Sequence, residues 1–155
     1  DFTFKDYFKF TFVRHPLTWL MSIYIEFYEK MKANKARLKA ELSLNREPEF
    51  ADFVDFITSL NAKGQWGHNT QLDFLKNTQN VDFDLFAKLE NYNEDLALIL
   101  DKLEISVQNV PHLLQKGDAK KEAMHKIAQT INRDVRKKIY DYYHEDFKTF
   151  GYNYL

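Results

Sequence analysis

The feature that most constrains this fold is an abrupt change of pattern near the N-terminus, from a strand-like run to a helix that begins at a proline. Residues 8–13 are rich in the aromatic and β-branched types that fit a buried strand. Pro16 suits the first position of a helix, where no amide hydrogen is needed. The boundary falls at Arg14-His15. A strand that leads directly into a helix at these residues predicts an anion site at the junction.

The junction carries groups that bind an anion. Arg14 places a guanidinium at the carboxyl end of the strand, beside the positive end of the helix, where amides without intrahelical partners converge. Ser22 lies two helical turns further on and adds a hydroxyl. This pattern predicts a phosphate site, although an ordinary strand-to-helix junction without a ligand has the same residue types.

The composition favours one compact, helix-rich domain. The chain has 155 residues, of which 45% are hydrophobic and 16% aromatic, enough for a sizeable core. Fourteen Phe and nine Tyr against four Gly and three Pro favour long regular elements with few tight turns. The net charge of −1 gives no overall attraction to nucleic acid or to an anionic membrane, so any anion site is local. Without cysteine, neither a disulfide framework nor a thiolate zinc site can form.

The first half of the chain contains two helical patterns. Apolar residues recur at three- and four-residue spacing and predict a helix over residues 16–42. Its basic second half, residues 30–46, either faces solvent or covers a polar acceptor. A loop over 43–49 leads to a second helix over 50–60. The most apolar stretch, residues 19–28, is far shorter than the ~20 residues of a membrane helix.

The second half of the chain begins with a strand pattern and continues with helices. Residues 81–86 alternate apolar and polar side chains and predict a strand, and Asn93 is suited to cap the helix that follows. The expected buried face of that helix consists of Leu96, Ile99, Leu100 and Leu103. Residues 108–121 predict a positively charged loop, and two helices are expected over 119–130 and 132–147. The expected buried face of the last helix consists of Val135, Ile139, Tyr142 or Tyr143, and Phe147.

The junction motif, F-x-F-V-R-x-P-x-x-x-L-x-S-x-Y, resembles the 3′-phosphate-binding motif of sulfotransferases that use 3′-phosphoadenosine 5′-phosphosulfate (PAPS). The nearest resemblance is to the membrane-associated carbohydrate sulfotransferases and their bacterial relatives. Two further segments are similar to that family: residues 89–95, L-E-N-Y-N-E-D, and the ending Y-x-x-D-F-x-x-F-G-Y over 143–152, where we expect packing and a helix released at Gly151. The resemblance implies an α/β, P-loop sulfotransferase-like fold that is helix-rich, with few parallel strands in this chain.

The resemblance also implies a nucleotide subsite and PAPS as the cofactor. The Arg and Ser of the family motif, which correspond to Arg14 and Ser22, hold the 3′-phosphate. Many members carry a second Arg where this chain has Trp19, so one helper charge is missing.

A loop that closes over the nucleotide in the family corresponds to Lys116-Gly117 here. A glycine in such a loop lets the backbone approach a ligand closely. Lys116, Lys120 or Lys121 can extend an ammonium to a phosphate from this region.

Three residues are considered for the acceptor side and for catalysis. His68 and Gln71 match residues that lie on the acceptor side in the family, and His68 is the candidate base within this chain. Alternatively, His68 caps a turn and the neighbouring Trp66 fills a gap in the core. Glu90 is either a catalytic carboxylate or, in the interpretation that we favour, a residue that orients a neighbouring loop or helix cap.

The family's Gly-rich loop for the 5′-phosphosulfate has no counterpart here, because no such loop with Lys-Ser or Lys-Thr occurs. In the family that loop and usually the catalytic base precede the 3′-phosphate motif, which places them before Asp1. We therefore expect residues 1–155 to form a single domain, the C-terminal two-thirds of a sulfotransferase domain. The expected partners are a nucleotide cosubstrate and a carbohydrate acceptor, with no nucleic acid and no transmembrane segment in this chain. The expected location is a bacterial-style cytoplasm, or the Golgi lumen for a eukaryotic member with a missing N-terminal anchor.

Other classes stay open at this point. The missing 5′ loop is compatible with a non-catalytic nucleotide- or glycan-binding module, or with a truncated inactive relative. A P-loop kinase-like enzyme shares the anion chemistry but requires a Walker-type lysine upstream. The histidines include no pair at helical metal spacing, so no metal site is expected.

Overall fold

The computed structural model describes residues 6–59, 70–76, 82–106 and 117–154. Helices dominate these ranges, and two short strands, β1 (Phe10–Val13) and β2 (Leu85–Lys88), form a small parallel sheet. The helices are α1 (Pro16–Ile23), α2 (Lys32–Glu41), α3 (Phe50–Thr58), α4 (Gln71–Lys76), α5 (Tyr92–Lys102), α6 (Asp118–Thr130), α7 (Arg133–Tyr142) and α8 (His144–Thr149). This confirms the prediction of a helix-rich α/β fold with few parallel strands.

The two strands run side by side and end at the same edge. Phe10 is paired with Leu85 and Val13 with Lys88. The predicted second strand, over residues 81–86, is shifted toward the C-terminus, because its pairing with β1 begins only at Leu85. Residue 81 lies outside the described residues. Because parallel strands present their carboxyl ends together, the residues after Val13 and after Lys88 meet at one edge of the sheet.

The prediction of one continuous helix over residues 16–42 is wrong. Helix α1 passes into a π-helical segment, Tyr24–Glu29, and Met31 adopts an extended conformation before α2 begins. A π-helical turn is closed by i→i+5 bonds, which changes the angular spacing of its side chains. The rings of Tyr24 and Tyr28 are stacked with centroids 6.4 Å apart, and both lie against Phe53 of α3, at 5.5 and 4.7 Å. The segment that departs from α-helical geometry is thus the one whose tyrosines pack against α3.

The predicted helix over 132–147 is likewise broken, at Tyr143. This residue has φ −103° and ψ 19°, which is outside the α-helical region, and its side chain is completely buried. The ring of Tyr143 contacts those of Trp19 and Tyr142, at centroid distances of 5.9 and 4.9 Å. Of the two tyrosines considered for the buried face, Tyr143 is therefore the core residue. Gly151 has φ 63°, which confirms the prediction that a glycine ends the last helix.

Helix α5 differs from the prediction in its cap and in its burial. The helix begins at Tyr92, so Asn93 lies in its first turn and is not the cap residue. The carboxylate of Asp95 accepts a hydrogen bond from the backbone N–H of Lys88 and joins the helix to the end of β2. Ile99 is buried, but Leu103 is 39% exposed, so the buried face of α5 is narrower than predicted.

The core lies between the helices, with α1 and the π-helical segment at its centre. Helix α1 contacts α6 and α7, and α3 packs against α7. The core side chains include Leu20, Tyr24, Phe53, Ile57, Ile139 and Phe147. Most of the basic residues after position 30 form ion pairs at the surface, as in Arg37–Glu41 and Arg46–Asp52, and Lys32 is exposed with no ion pair to a described residue. This agrees with the first of the two interpretations of that charged stretch.

The helices in the described ranges are short or polar. None of them combines the length and the apolar composition needed to cross a bilayer.

Candidate anion-binding site

The candidate site is built at the carboxyl edge of the sheet, where Arg14 follows β1. The side chain of Arg14 is half-buried, and no residue in the described ranges hydrogen-bonds to its guanidinium or forms an ion pair with it. Burial lowers the pKa of Arg14, and the nearby carboxylate of Glu90 opposes this shift. The guanidinium remains charged, because arginine is protonated throughout the physiological range. The structure therefore presents a partly desolvated cation whose donors are not used by any residue in the described ranges.

The backbone of Arg14 is held on both sides of its Cα by Gln71 at the start of α4. The N–H of Arg14 donates to Oε1 of Gln71 at 2.9 Å, and Nε2 of Gln71 donates to the Arg14 carbonyl at 2.7 Å. Sequence reasoning placed Gln71 on the acceptor side. The structure shows that both polar atoms of its side chain are engaged by the peptide groups of Arg14.

Gln71 is itself fixed by a buried carboxylate. Its backbone N–H donates to Oδ2 of Asp146 at 2.9 Å, and the N–H of Leu72 donates to Oδ1 at 3.2 Å. The side chain of Asp146 is 0% exposed, and burial raises its pKa despite these two hydrogen bonds. Asp146, which belongs to α8, thus caps the first turn of α4.

Glu90 lies at the N-terminus of α1 and is a capping residue. Its Oε1 accepts hydrogen bonds from the backbone N–H of His15 at 2.9 Å and from the hydroxyl of Thr18 at 3.2 Å, and its Oε2 accepts one from the hydroxyl of Tyr152 at 2.8 Å. A carboxylate is favourable at this end of a helix. This confirms that Glu90 orients a neighbouring helix cap, the interpretation that we favoured.

The same contacts correct one part of the anion-site prediction. Pro16 has no amide hydrogen, the N–H of His15 donates to Glu90, and the N–H of Leu17 donates to Nδ1 of His15 at 3.3 Å. The protein's own side chains therefore occupy the start of α1, and these amides are not available to hold a phosphate. The Arg14 guanidinium, and not the amides of His15 and Leu17, is therefore the candidate anion ligand at this junction.

The ionisation of Glu90 gives a testable prediction on stability. Burial alone raises its pKa, but hydrogen bonds from His15, Tyr152 and Thr18 outweigh burial, and the pKa lies below its ordinary value of 4.5. The stabilisation is therefore fully present above about pH 4.5 and is lost as the pH falls through the lowered pKa. We expect Glu90→Gln to reduce the pH dependence of the free energy of unfolding below about pH 4.5.

Urea unfolding followed from about pH 7 to about pH 3 measures this dependence. The matched control is Glu94→Gln, because Glu94 lies exposed in the first turn of α5. The same slope in the wild type and in Glu90→Gln would contradict the capping role of the ionised carboxylate.

His15 completes the junction as a packing residue. Its ring contacts those of Phe147 and Tyr152 edge-on, at 5.2 and 5.1 Å. Burial lowers the pKa of His15 below its usual value, which keeps the imidazole neutral at neutral pH and suits its Nδ1 to accept the Leu17 amide. We therefore assign no cationic role to His15.

Ser22 lies in the last turn of α1 and is half-buried. Glu26 follows one turn later, and its carboxylate binds Lys30 and Lys120, the latter at 2.6 Å. Helix α6, which carries Lys120, therefore lies beside the π-helical segment that follows α1. Trp19, at the position of the family's second Arg, contacts the rings of Phe74 and Tyr143 and so has a packing role.

The remaining predicted ligands are only partly described. His68 and Lys116 lie outside the described residues. Gly117 caps α6, since its carbonyl accepts from the N–H groups of Lys120 and Lys121, and a Cβ at this position would meet no described atom within 4 Å. Lys121 lies 3.7 Å from a carboxylate oxygen of Asp118. Among the described residues nothing blocks a close approach to Gly117, whereas Lys120 and Lys121 have carboxylate partners.

Two residues of the C-terminal segment have polar roles that the sequence interpretation missed. Asp146 caps α4, and Tyr152 binds Glu90, whereas only packing was expected for this ending. Lys88 adds to the same contact, because its ammonium donates to the Gly151 carbonyl at 2.9 Å and lies 4.5 Å from the centroid of the Tyr152 ring. The signal available in the sequence was Asp146, the second of two acidic residues between Tyr143 and Phe147. Both aromatic residues are buried, and a carboxylate placed among buried residues needs hydrogen-bond donors from elsewhere.

Comparisons with known proteins bear on this geometry. Residues 2–153 match the family model described as the sulfotransferase family. The chain is 28% identical over 171 aligned positions to "Carbohydrate sulfotransferase 12" of Mus musculus, in an alignment that covers 96% of this chain. The alignment spans 41% of that relative's length. No solved structure matches the chain.

Proposed function

The chain belongs to the sulfotransferase family, and from that premise we propose that Arg14 and Ser22 bind the 3′-phosphate of PAPS. Arg14 supplies a forked, charged donor to the phosphate oxygens, and Ser22 supplies a neutral hydroxyl one to two helical turns along α1. The fold that we propose around this site is that of a P-loop sulfotransferase.

One observation carries the proposal: at the carboxyl edge of a parallel sheet, the Arg14 guanidinium has no hydrogen-bond or ion-pair partner among the described residues. Ligands in open α/β sheets bind outside the carboxyl ends of the strands. A half-buried cation loses hydration, and within the described residues no carboxylate hydrogen-bonds to this guanidinium. A bound anion restores the missing interactions, and a phosphate matches the two-pronged geometry of arginine.

The reaction that we propose is transfer of a sulfuryl group from PAPS to a hydroxyl of a carbohydrate or a similar acceptor. The bond between sulfur and the phosphate oxygen breaks, a bond between sulfur and the acceptor oxygen forms, and the acceptor proton leaves. The nucleotide product is adenosine 3′,5′-bisphosphate. The name of the relative in Mus musculus supports a carbohydrate acceptor.

In this proposal, residues of this chain bind the nucleotide. Lys116 and Gly117 are proposed to belong to the segment that closes over the bound nucleotide, and Gly117 is the residue that precedes α6. The groups that bind the 5′-phosphosulfate and the catalytic base are not assigned to residues of this chain.

The proposed activity is tested with the full-length protein, PAPS labelled in the sulfuryl group and a panel of carbohydrate acceptors. We expect label to pass to one class of acceptor, with adenosine 3′,5′-bisphosphate as the second product. Tight nucleotide binding without transfer to any acceptor would instead identify a non-catalytic binding module or an inactive relative. Failure to bind either nucleotide would contradict the nucleotide site itself.

A further inference from the structure

We propose that Gln71 is a positioning residue for Arg14, and that buried Asp146 acts through Gln71 on the same site. This inference rests on the proposed function, because it assigns to Gln71 the task of presenting Arg14 to the 3′-phosphate. It also replaces the expectation that Gln71 serves the acceptor side.

The first step concerns the pattern of hydrogen bonds on Arg14. Its N–H and its carbonyl bond to the two ends of one planar amide, at 2.9 and 2.7 Å, both within the usual range. A side-chain amide that accepts from the N–H and donates to the carbonyl of the same residue replaces the contacts of a neighbouring strand. Arg14, the residue after Val13, thus has both of its peptide groups bonded although β1 has already ended.

The second step is that Gln71 is itself immobilised. Its backbone N–H is bound to Asp146, which is completely buried. At the residue before it, the N–H of Thr70 donates to Asp73 and the N–H of Asp73 donates to the hydroxyl of Thr70, both at 3.1 Å. This reciprocal pair is a capping box that fixes the first turn of α4. Gln71 is therefore anchored through its backbone and binds Arg14 with its side chain.

The third step is the consequence for the guanidinium. The side chain of Arg14 has no partner among the described residues that fixes it directly, so its starting point is set by the backbone. Gln71 fixes the peptide groups of Arg14, and Glu90 fixes the next amide, that of His15. A ligand is bound tightly when the binding group is held within about 0.5 Å of its productive position, and affinity falls when the group is held less firmly.

The chemistry of the contact also specifies the side chain. One atom must accept from an N–H and the other must donate to a carbonyl, which a neutral amide does and an ionised carboxylate cannot do. A protonated carboxylic acid has the same pattern as the amide. Glu at this position should therefore support Arg14 only when it is protonated.

The test measures binding of two nucleotides to the full-length protein by calorimetry. Adenosine 3′,5′-bisphosphate carries the 3′-phosphate, and adenosine 5′-phosphate lacks it. We expect Gln71→Ala to weaken binding of the bisphosphate by about tenfold and to leave binding of the monophosphate within about twofold. The matched control is Gln129→Ala, because Gln129 is exposed on α6 and bonds to His125.

The variant Gln71→Glu provides a readout that a purely structural role would not move. We expect its affinity for the bisphosphate, relative to the wild type at each pH, to be low at neutral pH and to recover as the introduced carboxyl is protonated. Division by the wild-type value removes the effect of protonation of the nucleotide phosphates. This variant also keeps the inference testable if Gln71→Ala does not fold.

The outcomes separate this inference from the proposed function. Equal binding of the bisphosphate by the wild type and by Arg14→Ala would overturn the proposed function, whatever Gln71 does. If Arg14→Ala weakens binding, then wild-type affinity in Gln71→Ala, or no pH-dependent recovery in Gln71→Glu, would overturn the role of Gln71. Equal losses for both nucleotides in Gln71→Ala would also overturn it, because they would indicate general disruption.

Discussion

Replacing Arg14 by Ala is expected to weaken binding of adenosine 3′,5′-bisphosphate by roughly 10- to 150-fold. This range corresponds to the ~1.5–3 kcal/mol of a hydrogen-bonded contact with a charged group. The effect should be large because no other cation in the described ranges follows directly from the end of β1. Stability should change little, since the guanidinium makes no hydrogen bond or ion pair with a described residue.

Isothermal calorimetry of the full-length protein measures this affinity. Arg14→Lys should bind with intermediate affinity, because a lysine keeps the charge but cannot form the two-pronged contact. Arg133→Ala is the matched control, since Arg133 is exposed at the first position of α7. Unchanged affinity in Arg14→Ala would exclude Arg14 as the 3′-phosphate ligand.

Replacing Asp146 by Ala is expected to lower the free energy of unfolding by about 2–3 kcal/mol. The substitution leaves the N–H groups of Gln71 and Leu72 without their acceptor in a buried place, and each such hydrogen bond to a charged group contributes ~1.5–3 kcal/mol. The loss is smaller than the sum of the two bonds, because burial of the charged carboxylate is itself unfavourable.

Urea unfolding measures the change, with Asp141→Ala as the matched control. Asp141 is exposed on α7 and pairs with Lys137, so its removal should cost less than about 0.5 kcal/mol. Asp146→Asn should be less destabilising than Asp146→Ala, since one amide oxygen remains as an acceptor. Equal stabilities of Asp146→Ala and Asp141→Ala would contradict the capping role.

The pKa of Asp146 also fixes the direction of its pH effect. Burial raises this pKa above 3.8, so the folded state binds its proton more tightly than the unfolded state does. The corresponding contribution to stability is fully present below about pH 3.8 and is lost as the pH rises through the raised pKa, which is opposite to the effect of Glu90. Asp146→Asn should remove the contribution of Asp146 to the pH dependence of the free energy of unfolding. Glu90→Gln should remove the contribution of Glu90, which has the opposite sign.

The sequence was sufficient to predict those elements whose signals are local. The strand-to-helix junction lies where the residue types indicate, because Pro16 and the aromatic run before it act over a few positions. The breaks at Met31 and Tyr143 were missed, since they interrupt continuous helical periodicity. Both lie next to tertiary contacts that a local pattern does not specify: before Met31, Tyr24 and Tyr28 contact Phe53, and Tyr143 is buried against Trp19.

The sequence alone indicated Arg14, the central residue of the candidate site, but not the hydrogen bonds that hold it in place. Arg14 follows from the motif, and Glu90 from a segment similar to the family. The bonds that hold Arg14 and His15 in place join residues 57 and 75 positions apart, which no local pattern specifies. Pairing of the carboxyl ends of the strands and docking of α8 on α4 bring these residues together.

The most direct measurement compares two nucleotides and two proteins in one cycle. The dissociation constants of adenosine 3′,5′-bisphosphate and adenosine 5′-phosphate are determined for the full-length wild type and for Arg14→Ala. We expect the wild type to prefer the bisphosphate by at least about tenfold and Arg14→Ala to lose most of this preference. The substitution removes the guanidinium and the monophosphate lacks the 3′-phosphate, so each change removes the same contact. An equal preference in both proteins would contradict the assignment of Arg14 to the 3′-phosphate.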